Sequence, residues 1–153
     1  MSRPDHLHRL RRIAIHAETE EDRAWIAKAI GRYLLAADDG LTLEDAFELS
    51  TPPSCQPWWR IDAIFRRDMW LRGLAEFFPQ DSLYARAEAV GAALDRYATT
   101  RWPTEQVLPG PPKSSWSTPE QCMWYALDAN GGLLLSRRQL RRILAKQLAI
   151  GGP

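Results

Sequence analysis

Helix starts follow one another closely through the last third of this chain, and that punctuation leaves little room for any fold but a helical one. Thr118-Pro119-Glu120-Gln121 and Ser136-Arg137-Arg138-Gln139 each place a hydroxyl at an N-cap and a glutamine three residues on, the pattern of a capping box. Asn130-Gly131-Gly132 lies between them as a tight turn, and Leu135 and Leu140 are spaced as a hydrophobic staple on the second start. The rest of the chain is punctuated in the same way. Thr19 opens a helix whose first turn carries three acids and whose apolar residues, Trp25, Ile26, Ala29, Ile30, Tyr33 and Leu34, recur at helical spacing. Asp38-Asp39-Gly40 ends it. Thr42 caps a short helix reaching Leu49, which Thr51-Pro52-Pro53 stops.

Pro57 at a first helical position begins a long helix reaching Phe78. It is apolar on two sides, with Ile61, Ile64, Phe65, Leu71 and Ala75 on one face and Trp59, Trp70 and Phe77 nearly opposite. Asp68 and Arg72 fall within the first face at i,i+4 and are expected to pair, because a lone buried charge is very costly. Ser82 caps the next helix, whose Leu83, Ala87, Val90, Leu94 and Tyr97 form a seam for antiparallel packing against it. Gly73 and Gly91 interrupt the two helices, each at a cost of about 1 kcal/mol relative to alanine, which close crossing of the helix backbones would explain. Near the N-terminus, Asp5 to Ala17 fits a short helix, although Ile13-Ala14-Ile15 also suits a strand.

The expected fold is therefore all-α, a bundle of five to seven helices in one domain: a helical bundle over 1–102, a Pro-rich crossover over 103–117 and a docked helical hairpin over 118–153. Four prolines between Pro103 and Ser117 read as an extended linker. The hairpin beyond is shorter than the roughly 40 residues at which unaided folding becomes improbable, so it must dock.

Composition excludes more than it selects. A net charge of +1 gives no bulk argument for nucleic acid, although residues 18–50 are strongly acidic and 82–153 basic. Seventeen of the twenty cations are arginine, which with abundant alanine points to GC-rich codons and a bacterial or phage gene. Cys55 and Cys122 are isolated, which makes a reduced, cytoplasmic setting the default. No apolar run approaches a membrane span and no apolar leader segment opens the chain. His6, His8 and His16 have no accompanying acid or cysteine cluster, so no metal site is expected. No cofactor motif and no nucleophile–base constellation appears, and the chain reads as a non-enzymatic binding protein.

Two surfaces are the candidates for that binding. Arg137, Arg138, Arg141, Arg142 and Lys146 fan across one side of the last helix, opposite a stripe of Leu140, Ile143, Leu144 and Gln147. Two arginines in the first turn oppose the helix dipole, and a phosphate at that helix start would reverse the sign. The leading reading is phosphate contacts to nucleic acid or a nucleoprotein complex; an acidic protein surface, or a merely solvated arginine-rich face, fits the same residues. The second surface belongs to a protein-protein interaction module, a phage inhibitor or assembly factor, in which Trp58, Trp59, Arg66 and Trp70 form an interface. Tryptophan and arginine dominate binding hot spots, but tryptophans also fill small helical cores.

The run Ala126-Leu127-Asp128-Ala129-Asn130-Gly131-Gly132, followed by Leu135-Ser136-Arg137-Arg138-Gln139-Leu140, resembles the first two helices of winged-helix DNA-binding domains. The third helix and wing of that family have no counterpart before Pro153, so the resemblance implies a helical hairpin without the element that enters the major groove. The stretch from Arg67 to Trp102, with Phe77-Phe78-Pro79 between its helices and Arg96-Tyr97 and Arg101-Trp102 closing it, is similar to small prophage-encoded helical proteins. It implies a mobile-element setting and no particular activity.

Overall fold

In a computed structural model, described for residues 19–148 and for His6, Arg9, Leu10 and Ile13 ahead of them, the chain is all-helical. The elements are α1 (Glu20–Ala36), α2 (Leu43–Ala46), α3 (Trp58–Glu76), α4 (Leu83–Thr100), α5 (Trp102–Glu105), a 3-10 turn (Lys113–Ser115), α6 (Pro119–Ala129) and α7 (Arg137–Leu148). The Asp5–Ala17 segment and the Gln147 side chain lie largely or wholly outside the described residues. The chain divides into two compact units, residues 1–62 and 63–153, and the division falls within α3 rather than at the proline-rich segment.

In the first unit, local capping does much of the organising. The Thr19 hydroxyl accepts from the Asp22 N–H, and the Asp22 carboxylate accepts from the Thr19 N–H. Asp22 is buried and accepts from Arg9 Nε at 2.8 Å, while the Arg9 guanidinium lies 5.0 Å from the centre of the Trp25 ring. Thr42 and Asp45 form the same reciprocal box at the start of α2. Hydrogen bonds from Ser50 and Thr42 hold the Asp45 carboxyl below its usual range. The core of this unit is small: Ala29, Phe47 and Leu49, with Leu10, Trp25, Trp58 and Ile61 against it. The apolar stripe expected along α1 is only partly covered, since Ile30 and Leu34 are exposed. A four-residue α2 is too short to shield the full length of α1.

The second unit holds the larger core. Leu71, Leu74 and Ala75 of α3, the α4 seam, Trp102, the inner side of α6 and Leu140, Ile143 and Leu144 of α7 form one cluster. The α4 seam is buried as its spacing requires and shares one core cluster with α3, but its closest backbone packing is with α7 rather than with α3. At Gly73 an added Cβ would meet only the Cys122 Sγ, at an ordinary 3.8 Å. The expected Asp68–Arg72 pair is also replaced: Asp68 accepts from Arg67 at 2.7 Å, and Arg72 Nε reaches the Ile143 carbonyl at 3.4 Å.

The proline-rich segment is folded rather than an extended linker. Pro103 lies in the first turn of α5, where a missing N–H costs nothing. Trp102, Glu105 and Ser115 are buried. Trp124 Nε1 donates to the Glu105 carbonyl at 3.1 Å, the Tyr97 hydroxyl donates to the Glu105 carboxylate, and Arg101 donates to both Glu105 and Ser115. Arg101–Glu105 is a local i,i+4 pair, but Trp124 and Ser115 reach their partners from 19 and 14 residues away, which proline content could not reveal. The Thr118 capping box does not form either: the Thr118 hydroxyl donates back to the Ser115 carbonyl, and Gln121 Oε1 accepts from the Ser117 N–H. Gly131 and Gly132, at φ of 62° and 77°, make the turn into α7. At Gly132 a Cβ would sit 3.0 Å from Trp102 Nε1, so this position is closed to side chains on two counts.

Candidate nucleic-acid interface

The orientation of α7 follows from its start. Ser136 and Gln139 complete the capping box predicted for them, with the Gln139 side chain accepting from the Ser136 N–H at 2.9 Å. Leu135 and Leu140 join the same core cluster, one residue before the cap and one in the first turn. Leu140, Ile143 and Leu144 are buried, which turns the five cations of α7 outward with no acid among them.

Those cations are not equivalent. Arg137 is withdrawn from the open surface by α4: its Nε donates to Glu88 at 3.2 Å and its Nη2 to Asp95 at 2.6 Å. The hydrogen bond it donates to Asp95, reinforced by Glu88, raises its already high pKa. The guanidinium lies flat on Gly91, where an added Cβ would come within 2.0 Å of Nη1 and 2.2 Å of Cζ. Gly91 is thus kept free of a side chain by an arginine from another helix, not by a crossing of helix backbones. As a phosphate contact, Arg137 is therefore corrected: its charge is matched within the fold. The acids that match it belong to α4.

Arg141 is half-buried, with its guanidinium 5.2 Å from the centre of the Tyr84 ring and its Nε shielded from solvent without a hydrogen-bond partner. Arg138, Arg142 and Lys146 are exposed, and no ion pair engages them among the described residues. At i, i+4 and i+8 they step along the outer side of α7 by about 6 Å at a time. Two shallow concavities flank the row. One, of about 190 Å³, is lined by Arg67, Gln139, Arg142, Ile143 and Lys146. Arg67 brings little free charge to it, because it donates to Asp68 and, through Nη1, to Asn130. The other, of about 380 Å³ and more open, is lined by Leu83, Ala145, Arg138, Arg141 and Arg142.

The residues expected to form a tryptophan face do not stand together. Trp58 packs on the core of the first unit and donates from Nε1 to Glu44 at 2.6 Å. Trp70 stacks on Tyr125, ring centres 4.4 Å apart, and packs against the core of the second unit. Trp59 is 55% exposed and Arg66 is exposed as well. Two of the three tryptophans are thus structural, and Trp59 is left as the open one.

A larger concavity of about 450 Å³ elsewhere in the second unit is lined by Phe78, Ala93, Tyr97 and Met123, with Arg96 and Glu120 among its polar residues. Burial and the bond to Glu105 push the Tyr97 hydroxyl well above its ordinary pKa. Among the described residues, no group of three or more His, Cys, Asp and Glu side chains is arranged to hold a metal, and no helix is long and apolar enough to cross a membrane. Tyr84 was not a sequence candidate. Its place in the first turn of α4 gave no signal, because only the α4–α7 packing brings it beside Arg141. The Gly91 seat did leave a local trace, a glycine buried in mid-helix with acids three residues before it and four after. No protein-family model matches this chain, and no curated protein or solved structure matches it at a significant level.

Proposed function

We infer that this chain is a binding protein that engages a nucleic-acid backbone through the exposed side of α7. The observation that carries this reading is the row Arg138, Arg142 and Lys146, uncompensated beside two arginines that α4 has absorbed. Guanidinium groups bind phosphate in a fork geometry, and a lysine adds a mobile point charge. Like-charge neighbours at i,i+4 destabilise a helix by about 0.2–0.5 kcal/mol each, a cost that a bound polyanion would relieve. A bacterial or phage setting and a cytoplasmic location belong to the same proposal and rest on composition and the isolated cysteines.

The test is salt-dependent binding to a nucleic-acid probe. Affinity should fall steeply with added salt, because each neutralised phosphate releases condensed counterion, and Arg138→Glu with Arg142→Glu should remove most of it. Arg137→Ala should matter much less. An absence of binding at low salt would overturn the reading.

A second reading, a protein-interaction module, is favoured by the exposure of Trp59 alone. There Trp59→Ala should abolish capture of a protein partner while leaving the melting curve in place.

A further inference from the structure

The cationic row by itself would suit any polyanion, but what lies beside it is more selective. Tyr84 is 59% exposed, and the Arg141 guanidinium covers part of its ring. Leu83, its neighbour in sequence, and Ala145 are the apolar residues lining an open concavity of about 380 Å³, which Tyr84 adjoins through Arg141 without lining it. Arg138, Arg141 and Arg142 are its other lining residues, and no acid lines it. An apolar hollow on a protein surface costs free energy when it is wet, and guanidinium groups beside one disfavour a cationic guest and favour an anionic one. The fitting guest is flat, aromatic and attached on both sides to negative charge.

We propose that this hollow is a nucleobase seat, and that the nucleic acid bound by α7 is single-stranded. An unpaired base enters over Leu83 and Ala145 beside the Tyr84 ring, while Arg138 and Arg142 hold the phosphates flanking it. Arg141, stacked on the tyrosine, stiffens the ring and offers a guanidinium plane to the base edge. Aromatic platforms bordered by arginine are how sequence-tolerant single-strand binding works, since every base presents a π-face. A duplex keeps its bases stacked inside and offers this hollow only backbone. The inference rests on the polyanion reading of α7 and adds to it the form of nucleic acid and the role of Tyr84.

Fluorescence anisotropy with the full chain at low salt tests it, using labelled oligo(dT), oligo(rU) and a mixed-sequence duplex of equal length. The expected result is tighter binding of either single strand than of the duplex. Tyr84→Ala should weaken single-strand binding roughly five- to a hundredfold, the range measured for loss of one stacked base, and leave duplex binding unchanged. Tyr84→Phe should retain single-strand affinity, since the ring does the stacking. The exposure of Tyr84 makes both variants foldable, and an unchanged circular dichroism spectrum confirms it. Equal binding of all three probes with no effect of Tyr84→Ala overturns the base seat while leaving the polyanion reading intact. No binding of any probe overturns both.

Discussion

The seat of Arg137 on Gly91 makes a prediction whose sign depends on the background in which it is measured. Gly91→Ala places a methyl group where the guanidinium now lies, at 2.0–2.5 Å from Nη1, Cζ and Nε. Backbone is not in the way, so the arginine moves and the helix stays. Leaving the seat breaks the contacts to Glu88 and Asp95. All three side chains are partly exposed, at 30%, 42% and 48%, so solvent screens the pairs. At about 0.2–1 kcal/mol for each exposed pair, the loss is about 1 kcal/mol. Against it, alanine in a helix interior is favoured over glycine by about 1 kcal/mol.

In the native background these terms nearly cancel, and Gly91→Ala should change stability by less than about 0.5 kcal/mol. In an Arg137→Ala background the seat is already empty. There the same substitution should stabilise by about 1 kcal/mol, the full difference in helix propensity. The coupling between the two sites, about 1 kcal/mol, is what a double-mutant cycle reads. Urea unfolding of the four proteins, followed by helical circular dichroism, supplies the values. High salt should shrink the coupling, because the Debye length falls to about 3 Å at 1 M. Additive effects of the two substitutions would refute the argument, since they would mean that the guanidinium does not occupy the space a Cβ needs.

Two further outcomes follow from the same reasoning about exposure and capping. Trp70→Ala should destabilise by about 2–3 kcal/mol, because it removes a ring stacked on Tyr125 and packed on the core, whereas Trp59→Ala should cost less than about 1 kcal/mol; comparable losses in urea unfolding would contradict this placement. The Asp45 carboxyl is held below its ordinary 3.8 by Ser50 and Thr42. Its contribution to folding is therefore complete above 3.8 and lost as pH falls through the lower folded value. A carboxyl NMR titration with a midpoint at or above 3.8 would show that the α2 capping box does not hold in solution.

How far the sequence disclosed the molecule depended on the range of the interactions involved. Thr19, Thr42, Ser82 and Ser136 marked true helix starts because a cap is satisfied within a few residues of itself. The α4 seam was legible for the same reason, as periodicity alone decides which side is apolar. The identity of its partner was not, since a seam is blind to which helix covers it. The segment 103–117 was misread because much of its order comes from contacts across 14 to 19 residues, Trp124 to the Glu105 carbonyl and Arg101 to Ser115, that only the folded chain brings together. Thr118 is instructive in the other direction. It has the right residue in the right place, yet its hydroxyl finds the Ser115 carbonyl of the folded segment before it.

The basic helix shows the same limit at the level of function. Its five cations look alike in sequence, and codon bias is a sufficient reason for so many arginines. Bias, however, has no means of sorting them by partner. On α4, Glu88, Gly91 and Asp95 make a seat of matched charge and matched space for one arginine, and Tyr84 presents a ring to another. A fold that needed only to neutralise α7 had the means to do so, by the same device of carboxylates on α4. Arg138, Arg142 and Lys146 were left without it, at a cost in like-charge repulsion of about 0.4–1 kcal/mol over two i,i+4 steps. That uncompensated remainder, lying beside an apolar concavity and an exposed tyrosine, is what the proposed binding rests on, and the loss of salt-dependent affinity on reversing Arg138 and Arg142 is what would bear it out.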